Sequence, residues 1–395
     1  MKIGIVGAGQ AACTLIAELI RGQFDGEIFV FNGESHSPYQ RPPLSKSWLA
    51  NPTETEALRL LPEPIGSHHS IQWIQSQVKT IEPDHGVIMT NDGRYTVDHI
   101  VLATGTRATR LTVDGLPPEK THVIRTLDDA MSLSGALDGV ANIAILGAGF
   151  LAFELASSLN HPTRTIRVLA KGIRALPQIS VKAADRLLDA TPASIRVGVT
   201  VDHYDEDKAT LITNHGPIPT DLVIMAIGAE PNIELAHACG LATDEGIPTD
   251  AYMQTPHPHV SAIGEVSLHD QPHVNQRIRI ESISEANDTA STLAKRLLGQ
   301  PEPFHATPWF WSDQGNLKLQ IAGLAARVDE ETALINAETE CVVIRHQGDR
   351  VTAIEAVNAA KEFMAARRLF EQGTISLKNL KNAGSVFSLL QSSRS

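Results

Sequence analysis

Two glycine turns constrain this chain more than any other feature. The first, Gly7-Ala8-Gly9-Gln10-Ala11-Ala12, follows the apolar run Ile3–Val6 and opens a helical apolar pattern that reaches Ile20. Ile28–Phe31 then reads as a return strand, with Glu34 just past it. The second turn, Gly147-Ala148-Gly149-Phe150-Leu151-Ala152, follows Ile143–Leu146 and opens a helix through Leu159, with Thr165–Leu169 as its return strand. Each is a βαβ unit of the size a dinucleotide fold requires. Gly7 and Gly147 permit the tight turn, and Gly9 and Gly149 let the backbone approach a pyrophosphate. Small Ala12 and Ala152 let helix pack on strand. The free N–H groups and positive dipole end of each helix favour phosphate. Glu34 can accept hydrogen bonds from a ribose. A single turn of this kind arises by accident; two, each bracketed by strand and helix, argue for two nucleotide sites.

Two further runs set the topology. Val101–Thr106 reads as a strand ending in a small-residue turn, and Val260–Glu265 as a strand ending in an acid. The whole second βαβ unit lies between them. The predicted fold class is therefore α/β, with two Rossmann-like dinucleotide-binding domains, one inserted in the other. Residues 1–112 and 245–308 form the first and 113–244 the second. Pro301–Pro308 punctuates a linker. Beyond it, Leu317–Gly323, Glu340–Arg345 and Thr352–Asn358 read as strands and Ala360–Glu371 as a helix, giving a third, α+β domain over 309–395. The Ser/Arg tail after Gln391 is expected to fray.

Composition removes several function classes. With 33 Lys+Arg against 45 Asp+Glu the net charge is -12, a poor basis for binding nucleic acid. No run approaches the ~18 apolar residues of a membrane span. The chain enters its first strand directly after Met1-Lys2, so no cleaved targeting segment is expected, and the odd number of widely spaced cysteines fits an expected cytoplasmic location. Three cysteines, Cys13, Cys239 and Cys341, stand too far apart for a CxxC or CxxxxC redox pair. The 16 histidines are scattered and lack metal-ligand spacing, so no metal site is expected.

Other segments carry a resemblance. Ser37-Pro38-Tyr39-Gln40-Arg41-Pro42-Pro43-Leu44-Ser45-Lys46 resembles the PYxRPPLSK segment of FAD-dependent ferredoxin reductases. These belong to the pyridine nucleotide-disulfide oxidoreductase superfamily and serve bacterial aromatic-ring dioxygenases and some cytochrome P450 systems. Pro308-Trp309-Phe310-Trp311-Ser312-Asp313-Gln314 is similar to the PWFWSDQ signature that opens the family's C-terminal domain, and Arg279-Ile280-Glu281-Ser282 resembles its RLES. Val357-Asn358 and Arg367-Arg368-Leu369 fall where the family has VN and RRL. The resemblance spans essentially the whole chain, in order.

The resemblance implies FAD in the first domain, NAD(H) in the inserted one with NADP(H) as the alternative, and a small iron–sulfur ferredoxin as electron acceptor, feeding an aromatic-ring-hydroxylating dioxygenase. Lys46 and Glu154 would form an ion pair at the flavin N5 side as the catalytic residues; otherwise they read as a solvated lysine and a helix-surface acid. Implied cofactor contacts further include Arg41, Val78, Ala103, Thr104, Gly105, Arg110, Gly228, Gly264, Glu281, Ser282 and Trp311, beside Gly7, Gly9, Ala11, Ala12, Glu34, Gly147, Gly149, Phe150, Ala152, Lys171 and Arg174. Arg107 and Arg110 read equally as surface charge, and Trp309 and Trp311 as core aromatics. Two positions depart from the family: Glu265 replaces the aspartate of AIGD, and Gly33 replaces an aspartate, leaving Glu34 to hold the ribose alone.

Past the second return strand, Val168-Leu169-Ala170-Lys171 stands where NADH-using members have VLEA, so the acid that would repel a 2′-phosphate is gone. An acidic ferredoxin would need a local basic face here. Lys378, Lys381 and Arg394, with Arg367, Arg368, Arg277, Arg279 and Lys318, are its candidates. A disulfide reductase is disfavoured by the missing dithiol. An apoptosis-inducing-factor-like or regulatory flavoprotein, or an NADH oxidase without a ferredoxin, remains the alternative. Monomer and homodimer both stay open.

Overall fold

The computed structural model describes residues 1–52, 55–326 and 329–393 and separates into two compact units. The first comprises Met1–Gln40, Glu54–Arg107 and Glu230–Pro308. Its centre is a parallel sheet in the order Val260–Ala262, His99–Leu102, Lys2–Val6, Glu27–Phe31, Ile71–Ile74. These short, almost continuously apolar strands are what a sheet covered on both faces requires. Register runs from Lys2 opposite Glu27 to Val6 opposite Phe31. On one face lie the helices Gln10–Arg21 and Ile283–Leu297, burying Leu15, Ile16 and Leu19 together with Ala290 and Leu293. Gln10 Nε2 and Thr14 Oγ1 both donate to Asn287 Oδ1, at 2.8 and 2.7 Å, fixing how these helices meet. On the other face, Phe31, Ile81, Ile88 and Val97 pack under the antiparallel strands Val78–Glu82, Val87–Thr90 and Arg94–Thr96. Each fully buried Leu or Ile contributes roughly 1.5–3 kcal/mol, which holds the glycine turn at the strand ends.

The second unit comprises Arg41–Thr53, Ala108–Ala229 and Trp309–Ser395. Its parallel sheet runs in the order Ser194–Val197, Thr165–Ala170, Asn142–Leu146, Leu222–Met225, Thr121–His122. An antiparallel five-stranded sheet follows in the order Trp309–Gln314, Leu317–Gly323, Arg350–Val357, Cys341–Gln347, Glu330–Asn336. The helices Ala360–Gln372, Leu377–Ala383 and Val386–Ser392 pack against this sheet through Phe363, Leu380 and Val386.

The strands and helix expected after the proline-rich segment are present, Leu317–Gly323 with the expected ends and the others with ends shifted by at most two residues. Within the C-terminal domain, four described elements escaped the sequence reading: the strands Trp309–Gln314 and Glu330–Asn336 and the last two helices. Glu330–Asn336 is a sheet edge whose first residues are exposed acids, so its apolar alternation is weak. The tail after Gln391, expected to fray, is described only through Ser393. The last helix continues to Ser392, its start held by Glu362, which accepts Val386 N–H at 2.7 Å and Phe387 N–H at 3.2 Å. Arg394 lies outside the described residues.

Candidate active site

In the first unit, Gly7 sits at φ +108°, and a Cβ there would lie 2.3 Å from the Ala103 carbonyl oxygen. Around Gly9 the space is open: a Cβ there would meet nothing within 4 Å. The helix that starts at Gln10 has no side-chain cap and no acid in its first turn, leaving its N–H groups for an anion. Gly264, at φ +75°, closes against this helix, its hypothetical Cβ 2.9 Å from Ala11 Cβ. This cradle admits a pyrophosphate and would be filled by side chains at the glycines, so the residues present fit FAD. Ala12 is fully buried against the sheet.

Around this cradle the expected residues take distinct places. Glu34 is half-buried and accepts a hydrogen bond from Tyr39 Oη, while its own N–H is fixed by Asn32 Oδ1 at 3.1 Å. Thr104 and Asn232 clasp each other: Thr104 Oγ1 donates to the Asn232 carbonyl at 2.7 Å, and Asn232 Nδ2 to the Thr104 carbonyl at 2.9 Å. Gly105 follows at φ +63°. Glu265 accepts Thr106 Oγ1 at 2.9 Å. Ser282 is buried and caps the helix Ile283–Leu297, accepting Glu285 N–H at 3.1 Å. Glu281 is exposed and pairs with Arg279 at 2.8 Å. Val78 is part of the apolar core. Arg107 lies on the surface between Glu230 and Glu234, which is its surface-charge reading.

In the second unit the turn repeats. Gly147 has φ +105°, its hypothetical Cβ 2.1 Å from the Ala226 carbonyl oxygen, and Gly228 has φ +116°. The helix Phe150–Ser158 again starts without a side-chain cap or an acid in its first turn, and Ala152 is fully buried. This turn fits a second dinucleotide.

Glu154, four positions into that helix, is 6% exposed. Its Oε2 accepts Lys46 Nζ at 2.7 Å and Ser45 Oγ at 2.7 Å, and its Oε1 accepts Ser312 Oγ at 2.6 Å. Ser45 and Lys46 arrive on the short helical turn that Pro42 and Pro43 start, and Ser158 Oγ donates to the Ser45 carbonyl at 2.8 Å. The structure thus brings together the expected Lys46–Glu154 pair and adds two hydroxyls that the sequence reading missed. Only the motif membership of Ser45 and Ser312 could have flagged them. Saturating both carboxylate oxygens offsets the cost of burying the charge.

Phe150 meets Phe310 in a tilted contact, ring centres 4.7 Å apart, and Trp311 stacks on Trp309 at 5.5 Å. Arg41 Nη1 donates to the Arg125 carbonyl at 2.8 Å, and Arg110 lies 3.7 Å from Asp129. Ala170, at the end of the return strand, is buried; Lys171 is exposed. Arg174 spends its guanidinium on the chain's own carbonyls, Leu176 at 3.1 Å and Ile179 at 2.5 Å.

Another pair missed by the sequence reading is His269 and Glu285, both almost wholly buried, 3.1 Å apart at angles too poor for a hydrogen bond. Burial pushes the His269 imidazole down to about 4 and the Glu285 carboxyl up to about 8, so both are neutral at pH 7. All three cysteines are free, and burial pushes the Cys13 thiol up to about 12.

These features define a flavoprotein that takes two dinucleotides. Comparison with known proteins agrees. The family model "Pyridine nucleotide-disulphide oxidoreductase" matches residues 1–290 and "Reductase C-terminal" matches residues 309–389. Rhodocoxin reductase of Rhodococcus erythropolis is 33% identical over 93% of this chain and 89% of its own length. The ferredoxin–NAD(+) reductase component of the p-cumate 2,3-dioxygenase system of Pseudomonas putida is 31% identical over 94% and 93%. The crystal structure of the ferredoxin reductase for the CYP199A2 system of Rhodopseudomonas palustris superposes with a TM-score of 0.92 at 29% identity, covering all of both chains. The chain belongs to the FAD-dependent ferredoxin reductases of the pyridine nucleotide-disulphide oxidoreductase family, and FAD and NAD(P)H are its cofactors. Among the described residues, no helix is long and apolar enough to cross a membrane.

Proposed function

We propose that this protein passes electrons from NAD(P)H through FAD to a small iron–sulfur ferredoxin that serves an oxygenase acting on aromatic compounds. The observation that carries this reading is the pair of glycine turns in a chain without a dithiol. One turn serves the flavin and the other the nicotinamide, and no thiol pair is available to store what the flavin receives. The electrons must therefore leave to an external acceptor. FAD supplies the conversion of a two-electron hydride into single electrons.

The chain supplies position and charge. Lys46 would offer a cation to the flavin, and Glu154, fixed by Ser45 and Ser312, holds that cation in one direction. Glu34 serves the FAD ribose and Glu265 the ribityl chain. For the nicotinamide, buried Ala170 offers nothing to repel a 2′-phosphate, and Arg174 is already engaged with backbone. We read the enzyme as using NADH with weak discrimination against NADPH.

For the ferredoxin, the candidate cations are Arg368, Lys378 and Lys381, all exposed, with Asp349 accepting the Lys378 backbone N–H at 2.7 Å. Arg277, Arg279 and Lys318 each face an acid, at 3.3, 2.8 and 3.8 Å, and Arg367 lies over the Trp309 ring. The test is spectroscopic. Purified protein should be yellow and bleach on anaerobic addition of NADH, and cytochrome c reduction should then require added ferredoxin. Reversing Lys378 and Lys381 to Glu should slow the ferredoxin step at low salt and flatten its salt dependence. Flavin that bleaches but reduces no ferredoxin, only oxygen, supports the oxidase alternative instead.

A further inference from the structure

Within the second unit, a strand of the C-terminal sheet grips the nucleotide fold. Glu355, on Arg350–Val357, is 1% exposed. Its two carboxylate oxygens accept the Ser180 N–H at 3.1 and 2.9 Å, and Oε2 also accepts the Ser180 hydroxyl at 2.5 Å. Ser180 Oγ in turn accepts Ala183 N–H at 3.2 Å and so caps the helix Val181–Leu188. Arg345, on the neighbouring strand, reaches Glu355 Oε1 at 3.2 Å and is itself buried. A buried ion pair of this kind adds little net stability, because desolvation offsets the attraction. What it supplies is a fixed direction.

The gripped segment matters for the cofactor. Ser180 ends the loop 171–179 that leaves the return strand Thr165–Ala170. Within the loop, Leu176 N–H donates to the carbonyl of Ala148, in the middle of the glycine turn, at 2.8 Å. Leu176 adopts φ +48°, a costly conformation for a bulky residue, which Arg174 secures through the carbonyls of Leu176 and Ile179. The side-chain amide of Gln178 lies 3.5 Å from where a Cβ of Gly149 would be. In a doubly wound sheet, a loop at this strand end meets the adenosine half of a dinucleotide.

We propose that Glu355 is a positioning residue for the nicotinamide cofactor: by holding Ser180 it fixes the loop 171–179 for the adenosine half of NAD(P)H. The inference rests on the reading that the second glycine turn binds that cofactor. It links the C-terminal sheet to cofactor affinity through the Glu355 carboxylate, beside which Glu331 accepts the Val181 N–H at 3.1 Å.

The experiment compares NADH with reduced nicotinamide mononucleotide, which has no adenosine half, using ferricyanide as acceptor. Glu355→Gln keeps the shape and removes the charge. It should raise KM for NADH about tenfold and change kcat by less than about twofold. Kinetics with the mononucleotide should not change. An unchanged KM for NADH, or an equal change with both donors, overturns the inference, because a merely structural role affects the two alike. If Glu355→Gln fails to fold with its flavin, Ser180→Ala carries the same test with a rise of about threefold. A wild-type enzyme that oxidises neither donor would instead sink the proposed function itself.

Discussion

At Gly7 and at Gly147 the backbone takes the same course, φ +108° and +105°, each pressed against a carbonyl of the neighbouring strand, Ala103 in one case and Ala226 in the other. Past the return strands the two regions part. The first ends in Asn32-Gly33-Glu34, with the acid half-buried and held by Tyr39. The second ends in Ala170-Lys171, with the acid gone. The turn is what any pyrophosphate needs, so it is common to both; what tells one nucleotide from another is carried by the few residues after the return strand.

The largest expected effect breaks the symmetry of the turns. Ala at either glycine would carry a Cβ into a backbone oxygen at a φ that L-residues avoid, a strain of roughly 1–3 kcal/mol before any clash. Gly7→Ala should purify with little or no flavin. Gly147→Ala should keep its flavin and lose about 100-fold or more in NADH oxidation. Absorbance of the purified proteins and anaerobic stopped-flow reduction read the two outcomes. If both variants lose the same cofactor, the assignment of one nucleotide to each turn is wrong.

A second difference lies beside the first turn, where Glu285 of the helix Ile283–Leu297 and His269 of the strand Ser267–Gln271 are buried neutral. From pH 4.5 to 8 an unfolded chain ionises this carboxyl while the folded chain keeps it protonated, so this contribution to stability falls as pH rises. His269, pushed down to about 4, works the other way between pH 4 and 6.5, because there only the unfolded imidazole binds a proton. Above pH 6.5 the carboxyl acts alone and should cost roughly 2 kcal/mol by pH 8. Thermal melts of wild type and Glu285→Gln across pH 6.5–8 check this: the wild type should lose stability and the variant should stay level.

Smaller still is the effect at the first return strand. Glu34→Ala should weaken FAD about tenfold, the loss of a charged hydrogen bond to the ribose. At Gly33 a Cβ would meet nothing closer than Gln77 Cγ at 3.8 Å, so Asp fits there without strain. Gly33→Asp should tighten FAD about threefold. Flavin release measured by fluorescence quantifies both, and a tighter Glu34→Ala would remove that residue from the ribose site.

The sequence reading reached the nucleotide folds because glycine spacing and unbroken apolar runs are local signals. The Lys46–Glu154 pair was legible only through the resemblance, since the two residues are far apart in the chain and neither has an unusual neighbourhood. Ser45, Ser312, Glu355 and Ser180 were not legible as partners. A hydroxyl or carboxylate in a polar stretch reads the same whether it faces water or a buried acceptor, and only the packed sheet decides. Glu355 shows this well. It lies in Thr352–Val357, whose other residues make an ordinary buried strand, and nothing in that pattern says that its partner is the cap of a helix 175 residues earlier. The basic face was half legible: the cations were countable, but the acids and the ring that engage several of them were not.

The smallest expected effect sharpens the comparison at the second return strand. In an NADH-selective site, a carboxylate at the position of Ala170 binds the adenosine 2′-hydroxyl and repels a 2′-phosphate. Here that position is a buried methyl group; Arg174 is bound to the Leu176 and Ile179 carbonyls, and Lys171, next in the chain, is exposed to meet a phosphate. A flexible lysine contacting one phosphate from solvent gains little, on the order of 1 kcal/mol. The wild type should therefore prefer NADH over NADPH by less than about tenfold. Ala170→Glu should raise that ratio about fivefold by excluding NADPH, and Lys171→Ala should lower kcat/KM for NADPH about threefold while leaving NADH unaltered. Steady-state kinetics with both cofactors on the three proteins decide it. A wild-type preference beyond tenfold means that selectivity is set outside this loop, and an NADPH rate indifferent to Lys171 means that the lost acid was not replaced by a phosphate site.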